Sequence, residues 1–583
     1  AASARALWTQ PATPTGSCWQ ADAAHADRIA CARTFTCGGK TVTLKITARM
    51  AGKSLALEVS ADQPDLAGIE AGGFGPMLRR RELPVPYYSG QAYFLPAENL
   101  FVNAFLDWTN SNASSHNYLF RRASYGPKTD RQRNLLHEQA IYTASWQFAE
   151  VLPNIPNPPS PYKERLADKV VLDVWGEPFW WIGKKLECLA DYGLTQAVVI
   201  IHVWQHYGLD NGLPTHYPAK DDEGMKALTA TARRLGFVIA LHENYVDYYG
   251  YGTHQKYDHF DPDHIALAGD ETPTSTWSGA YVTKPTAILG LAQKQSPDIA
   301  QGYGTTACFL DVHSCFPPWG HVDMRATEAG AGTFRAVWEA NRDLWAYERS
   351  INDRPVFGEG LNHWYWSGLL DGVEAQFGNG WPAAEGTGAP LFVDFDLLKI
   401  HPLQFNHGMG YGERWWKNPD WCNLPPMSIM DQYRMQEVAY GHAGFLSREI
   451  WDSLPSVWLE HNLLTPVTAR YATAKVQAIH YEVDGKWVDS TTAAKARAWQ
   501  RLRVTYDNGL VVKANNRPEP FCTGNYTLPQ YGWLAKGAGV TAYTALREGK
   551  VVDYAERADS IFANARYAPD WDKRPAKPLV SYF

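Results

Sequence analysis

Residues 196–204 read QAVVIIHVW, a short run of branched apolar residues that ends in polar and aromatic ones. Such a run is typical of a strand buried on both faces of a parallel sheet. Seven similar runs occur between about residue 165 and residue 450. They are KVVLDVW (169–175), GFVIALHEN (236–244), TACFLDVHS (306–314), RPVFGEGLN (354–362), GVEAQF (372–377), PLFVDFDLL (390–398) and AGFLSRE (443–449). Eight such strands, several followed by helical patterns, predict a central (β/α)8 barrel of the TIM type.

The clearest helical patterns lie at EGMKALTATARRLG (223–236) and TFRAVWEANRDLWAYERS (333–350). The first carries an apolar stripe and ends in a glycine, which is typical of a helix C-cap. The stretch from about 245 to 305 is too long for a simple connection between two strands. We expect a lid or a substrate subsite there.

The flanking regions have a different period. KTVTLKITAR (40–49) and KSLALEVSA (53–61) alternate apolar and polar residues, and so do KVQAIHYEV (475–483), QRLRVTYDN (500–508) and GLVVKANN (509–516). The proline-rich stretch NIPNPPSPYKER (154–165) is typical of a linker. We therefore predict three parts: a β-sandwich with its linker over 1–160, the barrel over 161–455, and a second β-sandwich over 456–583.

The composition excludes some partners. The chain has 54 Lys and Arg against 61 Asp and Glu, a formal charge of −7, and no long basic run. Nucleic acid is therefore not an expected partner. There is no stretch of about 18 uninterrupted apolar residues that would predict a membrane span. The chain starts with Ala, without a signal sequence, which fits a secreted or periplasmic protein after processing and fits a trimmed chain equally well.

Eight cysteines are present, and none forms a C-x-x-C pair that would favour a zinc or redox site. The crowding of Cys18, Cys31 and Cys37 suits a disulfide in an oxidising compartment. Buried free thiols are the alternative.

In a barrel of this type the active site lies at the carboxyl ends of the strands. Side chains of a strand alternate between its two faces, so parity sorts them. One face of six strands in turn ends in polar or aromatic groups. These are Asp173 and Trp175, His202 and Trp204, His242 and Asn244, Asp311 and His313, Glu359, and Asp394 and Asp396. So many buried polar groups must be paired or solvated, which favours a polar pocket that does chemistry.

Hydrolysis of a glycosidic bond needs two carboxyl groups, one on each side of the bond. Asp311 follows the apolar run CFL, so its position would be rigid, and we predict that it is the nucleophile. Glu359 lies between two glycines at the end of the next strand, which leaves room for a sugar, and we predict that it is the acid/base. Asp394 is the reserve catalyst, and Asp396 shares its predicted role in substrate binding.

Aromatic content supports a sugar substrate, because 24 Trp and 31 Tyr supply many faces on which sugar rings stack. Trp175 and Trp204 are predicted to bind substrate. Trp364 and Trp366 are candidate stacking platforms, with a place in the core as the alternative. The glycine-rich stretch HPLQFNHGMGYGERWW (401–416) adds His407, Glu413, Trp415 and Trp416.

The three imidazoles of His202, His242 and His313 have two interpretations. They can donate hydrogen bonds to sugar hydroxyls, which is the role we predict. They can also form a zinc site, although no short H-x-H or H-E-x-x-H motif supports it. No cofactor is expected to be required, and a structural calcium ion remains compatible with the sequence.

The strand that closes in L-D-V at Asp311, and the later strand with a Glu beside Gly at Glu359, resemble glycoside hydrolase families 101 and 129. Those families act on α-linked N-acetylgalactosamine of mucin-type glycans. The resemblance implies a β-sandwich leading into a barrel and a retaining mechanism with an Asp nucleophile and a Glu acid/base. It covers about the middle half of the chain, and the 48 residues from Asp311 to Glu359 exceed the spacing expected of close relatives.

The sequence thus predicts a glycoside hydrolase that cleaves an α-linked sugar from a glycan or polysaccharide by double displacement. Three alternatives stay open. One is an inverting hydrolase with a wider gap between the carboxyl groups. The second is a glycan-binding protein without catalysis, and the third is a metal-dependent hydrolase.

Overall fold

The computed structural model describes most of the chain between Ala4 and Tyr582. The segments outside the described residues are 1–3, 7–13, 17–18, 23–24, 38, 73–78, 89, 118–120, 207–216, 250–260, 277–278, 361–362, 375–390, 401–426, 447, 567–578 and 583. No helix among the described residues is long and apolar enough to cross a membrane.

The centre of the molecule is a parallel sheet, in which seven strands are described. They are β1 (Val170–Trp175), β2 (Ala197–His202), β3 (Val238–Glu243), β4 (Ala307–Leu310), β5 (Val356–Gly358), β6 (Gly372–Val373) and β7 (Phe445–Leu446). Their order in the sheet is β6-β5-β4-β3-β2-β1-β7, and all neighbours are parallel. Seven of the eight predicted strands are therefore confirmed, and the last lies beside the first. The described sheet is a curled arc, so a closed eight-stranded barrel stays a prediction.

The predicted strand at 390–398 is wrong. Its described residues form no strand, and Asp396–Ile400 is a π-helical turn. Phe392 stacks on Phe148 with ring centroids 4.6 Å apart, and Phe395 lies 5.4 Å from Tyr88. The segment is apolar because it is packed between the flanking parts of the chain. A short apolar run does not distinguish a buried helical turn from a buried strand.

Four long helices follow the first four strands of the sheet. They are α1 (Phe179–Asp191), α2 (Asp222–Leu235), α3 (Pro285–Tyr303) and α4 (Phe334–Ser350). Both predicted helices are confirmed as α2 and α4. The Asp221 carboxylate accepts from Gly224 N (3.0 Å) at the start of α2, and Gly236 at its end has φ of 88°. These helices cover the outer face of the sheet and leave its carboxyl end for the side chains described below.

The remaining helical segments are shorter or lie outside the central layers. The α-helices are Lys163–Leu166, His363–Trp366, Met427–Tyr440, Arg448–Trp451, Leu454–Tyr471 and Ser490–Ala496, and the 3-10 turns are Trp108–Asn110, Phe148–Val151, Pro262–His264 and Pro318–His321. The long stretch between β3 and α3 contains an antiparallel hairpin, Asp247–Tyr249 with Ala280–Val282.

The N-terminal region consists of two antiparallel sheets. The four-stranded sheet contains Ala4–Ala6, Gly68–Ala71, Arg122–Ser124 and Ser115–Asn117. The nine-stranded sheet contains Pro14–Thr15, Gln20–Asp22, His25–Cys37, Lys40–Ala51, Ser54–Ala61, His137–Ser145, Leu100–Leu106, Gln91–Leu95 and Arg81–Leu83. Leu57 and Val59 of the larger sheet share one cavity with Ile69 and Ala71 of the smaller. Apolar residues of both sheets thus line one cavity, and a packed β-sandwich in this region stays a prediction.

The C-terminal region is one antiparallel sheet in which eleven strands are described. They are Val476–Val483, Lys486–Val488, Arg501–Tyr506, Val511–Asn515, Phe521–Thr523, Tyr526–Leu528, Trp533–Gly537, Val540–Arg547, Lys550–Arg557, Ser560–Ala565 and Leu579–Tyr582. The predicted strands are present, but they form one sheet where two were expected. The helix Leu454–Tyr471 covers it, with Trp458 edge-on to Phe562 at 6.1 Å.

Cys31 is buried as a free thiol, which agrees with the second of the two alternatives for this residue. Cys188, Cys308 and Cys522 are free thiols as well. Cys18, Cys422 and the side chain of Cys37 lie outside the described part of the chain.

A buried ion network joins the C-terminal sheet to the helices beneath it. Arg434 Nε lies 2.8 Å from Glu460, and its Nη1 lies 3.2 Å from Asp431. Arg566 donates to the other oxygen of Asp431 (2.6 Å) and to Asp553 (2.9 Å). All five side chains are buried. Each charge is stabilised only by its partners, because water is excluded.

Replacement of Arg434 by Met should lower the free energy of unfolding by about 3–5 kcal/mol, since it leaves the carboxylates of Glu460 and Asp431 buried without a full complement of charge. Chemical denaturation monitored by tryptophan fluorescence measures the change. Arg234→Met is the matched control. Arg234 pairs with Glu187 at 3.2 Å on the surface, so its loss should cost no more than about 1 kcal/mol. Equal effects of the two variants would contradict the prediction.

Candidate active site

A row of four polar side chains crosses the carboxyl ends of β1 to β4, and hydrogen bonds join the first three of them. Asp173 Oδ1 lies 2.8 Å from His202 Nε2, and His202 Nδ1 lies 2.8 Å from His242 Nδ1. His242 Nε2 lies 3.8 Å from Asp311 Oδ2. The structure therefore brings together four residues that parity assigns to the inner face of the sheet, one from each of four neighbouring strands.

Trp175 lies partly exposed at one end of this row. Its Nε1 donates to Asp173 Oδ2 at 2.8 Å. Its ring stacks on His202, with centroids 4.1 Å apart and planes within 9° of parallel. The edge of Phe309 packs on His202 from another side, at 5.1 Å. The imidazole of His202 is thus held in one orientation, and Trp175 presents an aromatic surface next to the polar row.

Asp311 and Glu359 lie side by side at the ends of neighbouring strands. Leu310 of β4 is in register with Gly358 of β5, and each carboxylic residue comes directly after this pair. Glu359 Oε2 accepts from Val312 N at 3.2 Å, and Glu359 N donates to Leu310 O at 3.3 Å. Since neighbouring strands lie roughly 4.8 Å apart, the two carboxyl groups start from backbones about that far from each other. The Asp311 side chain is 17% exposed, so it is open to the site.

The backbone next to Asp311 is strained. Val312 has φ of 65°, and His313 N donates to Asp311 O at 2.7 Å, which makes a γ-turn of the uncommon positive-φ kind. Val203, which follows His202, has φ of 55°. A β-branched residue in this region costs roughly 1–3 kcal/mol and persists only where its surroundings enforce it. The sequence carries no signal for these turns, because valine is a residue that avoids them.

His313 is bonded within the core of the protein, whereas the prediction was that it contacts the substrate. Its Nδ1 bonds Asn341 Oδ1 at 2.9 Å, and its Nε2 accepts from Tyr245 N at 3.2 Å. Burial lowers the pKa of His313 to about 4, against a smaller raising effect of Asn341, so the ring is neutral at pH 7. Both ring nitrogens are committed to hydrogen bonds within the core, and this corrects the prediction of a sugar contact.

The zinc interpretation of the three imidazoles finds no support in their positions. His202 and His242 face each other through Nδ1 atoms only 2.8 Å apart, which is a hydrogen-bond distance. His313 uses both nitrogens elsewhere. Among the described residues, the one group of ligand atoms close enough to hold a metal is formed by Glu243, Cys308 and Glu348.

Asp394 lies in the helical residues just before the π-helical turn, and Asp396 is the first residue of that turn. The premise that a seventh strand presents them at the pocket is therefore wrong. Tyr481 Oη of the C-terminal sheet donates to Asp394 Oδ1 at 2.7 Å, and burial raises the pKa of Asp394 to about 6. Asp396 is buried 3.6 Å from His442 Nε2. Burial raises the pKa of Asp396 as well, while Lys163 opposes the rise.

Trp204 and Trp364 are core residues, which corrects their predicted contact with substrate. Trp204 is fully buried, and its Nε1 donates to His242 O at 2.7 Å, where it supports the backbone of β3. Trp364 is buried edge-on to Tyr88 at 5.2 Å and next to Trp108 of the N-terminal region. Trp366 is buried too. The predicted residues His407, Glu413, Trp415 and Trp416 lie outside the described residues.

Sequence reasoning missed a second polar cluster on the opposite face of the sheet, against α3 and α4. Glu243 Oε2 accepts from Ser296 (2.8 Å) and Tyr245 (2.9 Å), and Arg354 Nη2 lies 3.5 Å from Glu243 Oε1 and bonds Glu348. The guanidinium supplies the positive charge that a metal would otherwise supply there. The sequence did contain a signal for this cluster. Glu243 is next to His242 in the strand, so its side chain must point to the opposite face of the sheet.

The buried pair Glu243 and Glu348 should make stability depend on pH. Burial, and then the charge of Glu243, raise the pKa of Glu348 to about 7, against the opposing effect of Arg354. The folded protein therefore keeps a proton that the unfolded chain releases near pH 4.5. The resulting stabilisation is present below about pH 4.5 and is lost as the pH rises to about 7.

Relative to Glu348→Gln, which keeps the shape and cannot ionise, the wild-type protein should lose up to about 1.4 kcal/mol of unfolding free energy per pH unit over this range. Denaturation of both proteins at several pH values measures the difference. Parallel pH profiles of the two proteins would show that Glu348 does not titrate in this range.

No protein-family model matches the chain, and no curated protein matches it. The fold is similar to that of solved glycosidases. The solved structures most similar to the chain include the α-N-acetylgalactosaminidase NagBb from Bifidobacterium bifidum. Its complex with GalNAc has a TM-score of 0.60 at 12% identity, and its ligand-free form has 0.59 at 13%. Both alignments cover 87% of this chain and 90% of the other.

These matches confirm, at the level of the fold, the distant resemblance to this group of glycosidases that the sequence indicates. The similarity spans far more than the middle half of the chain on which the resemblance rested. Because the sequence identity is only 12–13%, the similarity shows a shared fold and nothing more.

Proposed function

We propose that the protein is a glycoside hydrolase that cleaves an α-linked sugar from a glycan. The single observation that carries the proposal is the placement of Asp311 and Glu359 at the same level on neighbouring parallel strands, with Glu359 Oε2 3.2 Å from Val312 N. Two carboxyl groups on adjacent strands, one of them 17% exposed, are the minimal machinery for this reaction. The fold shared with a solved α-N-acetylgalactosaminidase supports the same function.

The proposed mechanism is double displacement. Asp311 attacks the anomeric carbon while Glu359 protonates the departing oxygen. Glu359 then removes a proton from the water that releases the sugar. The spacing of neighbouring strands supports this choice, because retaining enzymes hold their carboxyl groups only about 5–5.5 Å apart, whereas inverting enzymes need about 6.5–9.5 Å. The turn at Val312 supports it further by fixing the backbone directly after the nucleophile.

The experiment that tests the proposed function is a screen of aryl glycosides in both anomeric forms, beginning with α-N-acetylgalactosaminides because the solved neighbour carries that name. The first-formed anomer of any product is identified by NMR. We expect cleavage of an α-glycoside with retention of configuration. Inverted product would favour the inverting alternative. Binding of glycans without release of reducing ends would favour the glycan-binding alternative.

A further inference from the structure

The row from Asp173 to Asp311 has an internal order that the two-carboxylate mechanism does not use. The side chains of Asp173, His202 and His242 are at most 2% exposed, while that of Asp311 is open. The distances along the row are 2.8 Å, 2.8 Å and 3.8 Å. Two imidazoles joined through their Nδ1 atoms therefore lie between two carboxylates, one buried and one in the site.

The positions of the protons follow from the chemistry of the donors. An indole Nε1 can only donate, so Asp173 accepts from Trp175 at Oδ2 and, as a carboxylate, accepts from His202 Nε2 at Oδ1. One proton must lie between the two Nδ1 atoms. If the pair is neutral, His242 Nε2 carries a lone pair and no hydrogen. If the pair holds one more proton, His242 Nε2 becomes an N–H group that points toward Asp311.

We infer that Asp173 and His202 are positioning residues for the nucleophile. Through His242 they present an N–H group to Asp311, which holds the Asp311 carboxylate ionised and oriented for attack. The inference rests on the proposed function, because it takes Asp311 to be the nucleophile. The 3.8 Å between His242 Nε2 and Asp311 Oδ2 is too long for a direct hydrogen bond. It suits a water molecule or a sugar hydroxyl that bonds both atoms at once.

Two carboxylates flank the pair of imidazoles, one at each end. In the described part of the chain, the carboxylates within 4.0 Å of the two imidazoles are Asp173 from β1 and Asp311, which follows β4. Phe309 and Trp175 pack on the rings with apolar surfaces. A lone pair on His242 Nε2 would face a carboxylate oxygen, whereas an N–H group is attracted to it. One added proton between the two carboxylates changes the net charge of the row from −2 to −1.

Asp173→Asn tests the inference, because the oxygen of one amide cannot replace both oxygens of the carboxylate as acceptors. If the oxygen of the new amide accepts from Trp175, the NH2 group of that amide faces His202 Nε2, which must then lose its proton. The pair becomes a neutral tautomer whose protons lie between the two Nδ1 atoms and on His242 Nε2. The N–H group that faces Asp311 is then kept, and what Asp311 loses is the positive charge of the pair. An opposite charge within about 4–6 Å lowers the pKa of an Asp by about 1–3 units. Its loss should therefore raise the proton affinity of Asp311 about tenfold or more.

Two signals measure these changes without any substrate. In protein labelled with ¹⁵N-histidine, His202 Nε2 should carry a proton in the wild type and lack it in Asp173→Asn. In protein labelled with ¹³C-aspartate, with the Asp311 signal assigned by Asp311→Asn, the titration midpoint should rise by about one pH unit. Once a substrate is found, the acidic limb of kcat/KM should move up by the same amount, and kcat should fall more than KM changes. Glu348→Gln is the control, because it removes a buried carboxylate on the other face of the sheet. It should leave the titration midpoint of Asp311 unchanged.

The double variant Trp175→Phe/Asp173→Asn provides a rescue. Without the indole donor, the amide oxygen is free to accept from His202 Nε2, so the wild-type tautomer should return. An unchanged His202 Nε2 proton in Asp173→Asn, or a changed tautomer with an unchanged Asp311 midpoint, would overturn the inference. If Asp173→Asn does not fold, independent titration of the two imidazoles in the wild type would overturn it, and one shared titration would support it. Failure to cleave any glycoside would count against the proposed function. The two NMR signals would still test whether Asp173 and His202 act on Asp311 through His242.

Discussion

Asp311→Asn is expected to lower kcat by at least about 10⁴-fold while leaving the fold intact, since the loss of a covalent nucleophile can cost up to about 10⁶-fold. The amide has the size of the carboxylate and can still accept a hydrogen bond. It cannot attack the anomeric carbon. The backbone bonds of Asp311 to Glu243 and His313 do not involve its side chain, so the substitution preserves them. Activity on the best aryl glycoside and the thermal unfolding midpoint are the two measurements.

Asp394→Asn is the matched control, because Asp394 was the reserve catalyst in the sequence and lies against Tyr481 in the structure. We expect it to retain most of the activity of the folded protein. Near-normal turnover by Asp311→Asn would remove Asp311 from the mechanism. Loss of activity in a folded Asp394→Asn protein, with Asp311→Asn active, would exchange the two roles.

Glu359→Gln is expected to lower kcat by about 10²–10⁴-fold on substrates with poor leaving groups, which is the usual contribution of general acid catalysis. Glutamine can still accept from Val312 N through its amide oxygen, so the turn beside Asp311 should survive. An aryl leaving group of low pKa needs no proton, so the loss on such a substrate should be much smaller in the first step. Kinetics on a series of aryl leaving groups measure this dependence.

Azide distinguishes an acid/base residue from one that only supports the turn. If a glycosyl-enzyme forms on Asp311, azide can attack it from the side that Glu359 leaves free, and a glycosyl azide of retained configuration should accumulate. Glu359→Ala is a second variant with the same expected rescue. Equal losses across all leaving groups, without rescue, would assign Glu359 a structural role.

The sequence predicts the site better than it predicts the packing around it. Parity in VVLDVW, VVIIHVW and IALHEN indicated that Asp173, His202 and His242 share one face of the sheet, and the structure places them in hydrogen-bond contact. The same rule applied to LFVDFDLL gave the wrong environment for Asp394, because a buried helical turn and a buried strand have equally apolar sequences.

Other features depend on atoms far apart in the sequence. No local pattern indicates that Trp364 packs on Tyr88, that His313 is bonded by Asn341 and the Tyr245 backbone, or that Val312 adopts a positive φ. Each is enforced by neighbours that the chain brings together only when the layers close. Burial then decides whether a tryptophan is a platform or part of the core.

The sequence by itself determined the order and direction of the seven described parallel strands and the common face of Asp173, His202 and His242. These properties follow from the two-residue period of a strand and from the handedness of its connections. Only the tertiary structure decided that Asp173, His202, His242 and Asp311 form one continuous row and that Glu359 bonds the backbone beside Asp311. Hydrogen bonds act over about 3 Å, so their partners are set by the register and curvature of the whole sheet.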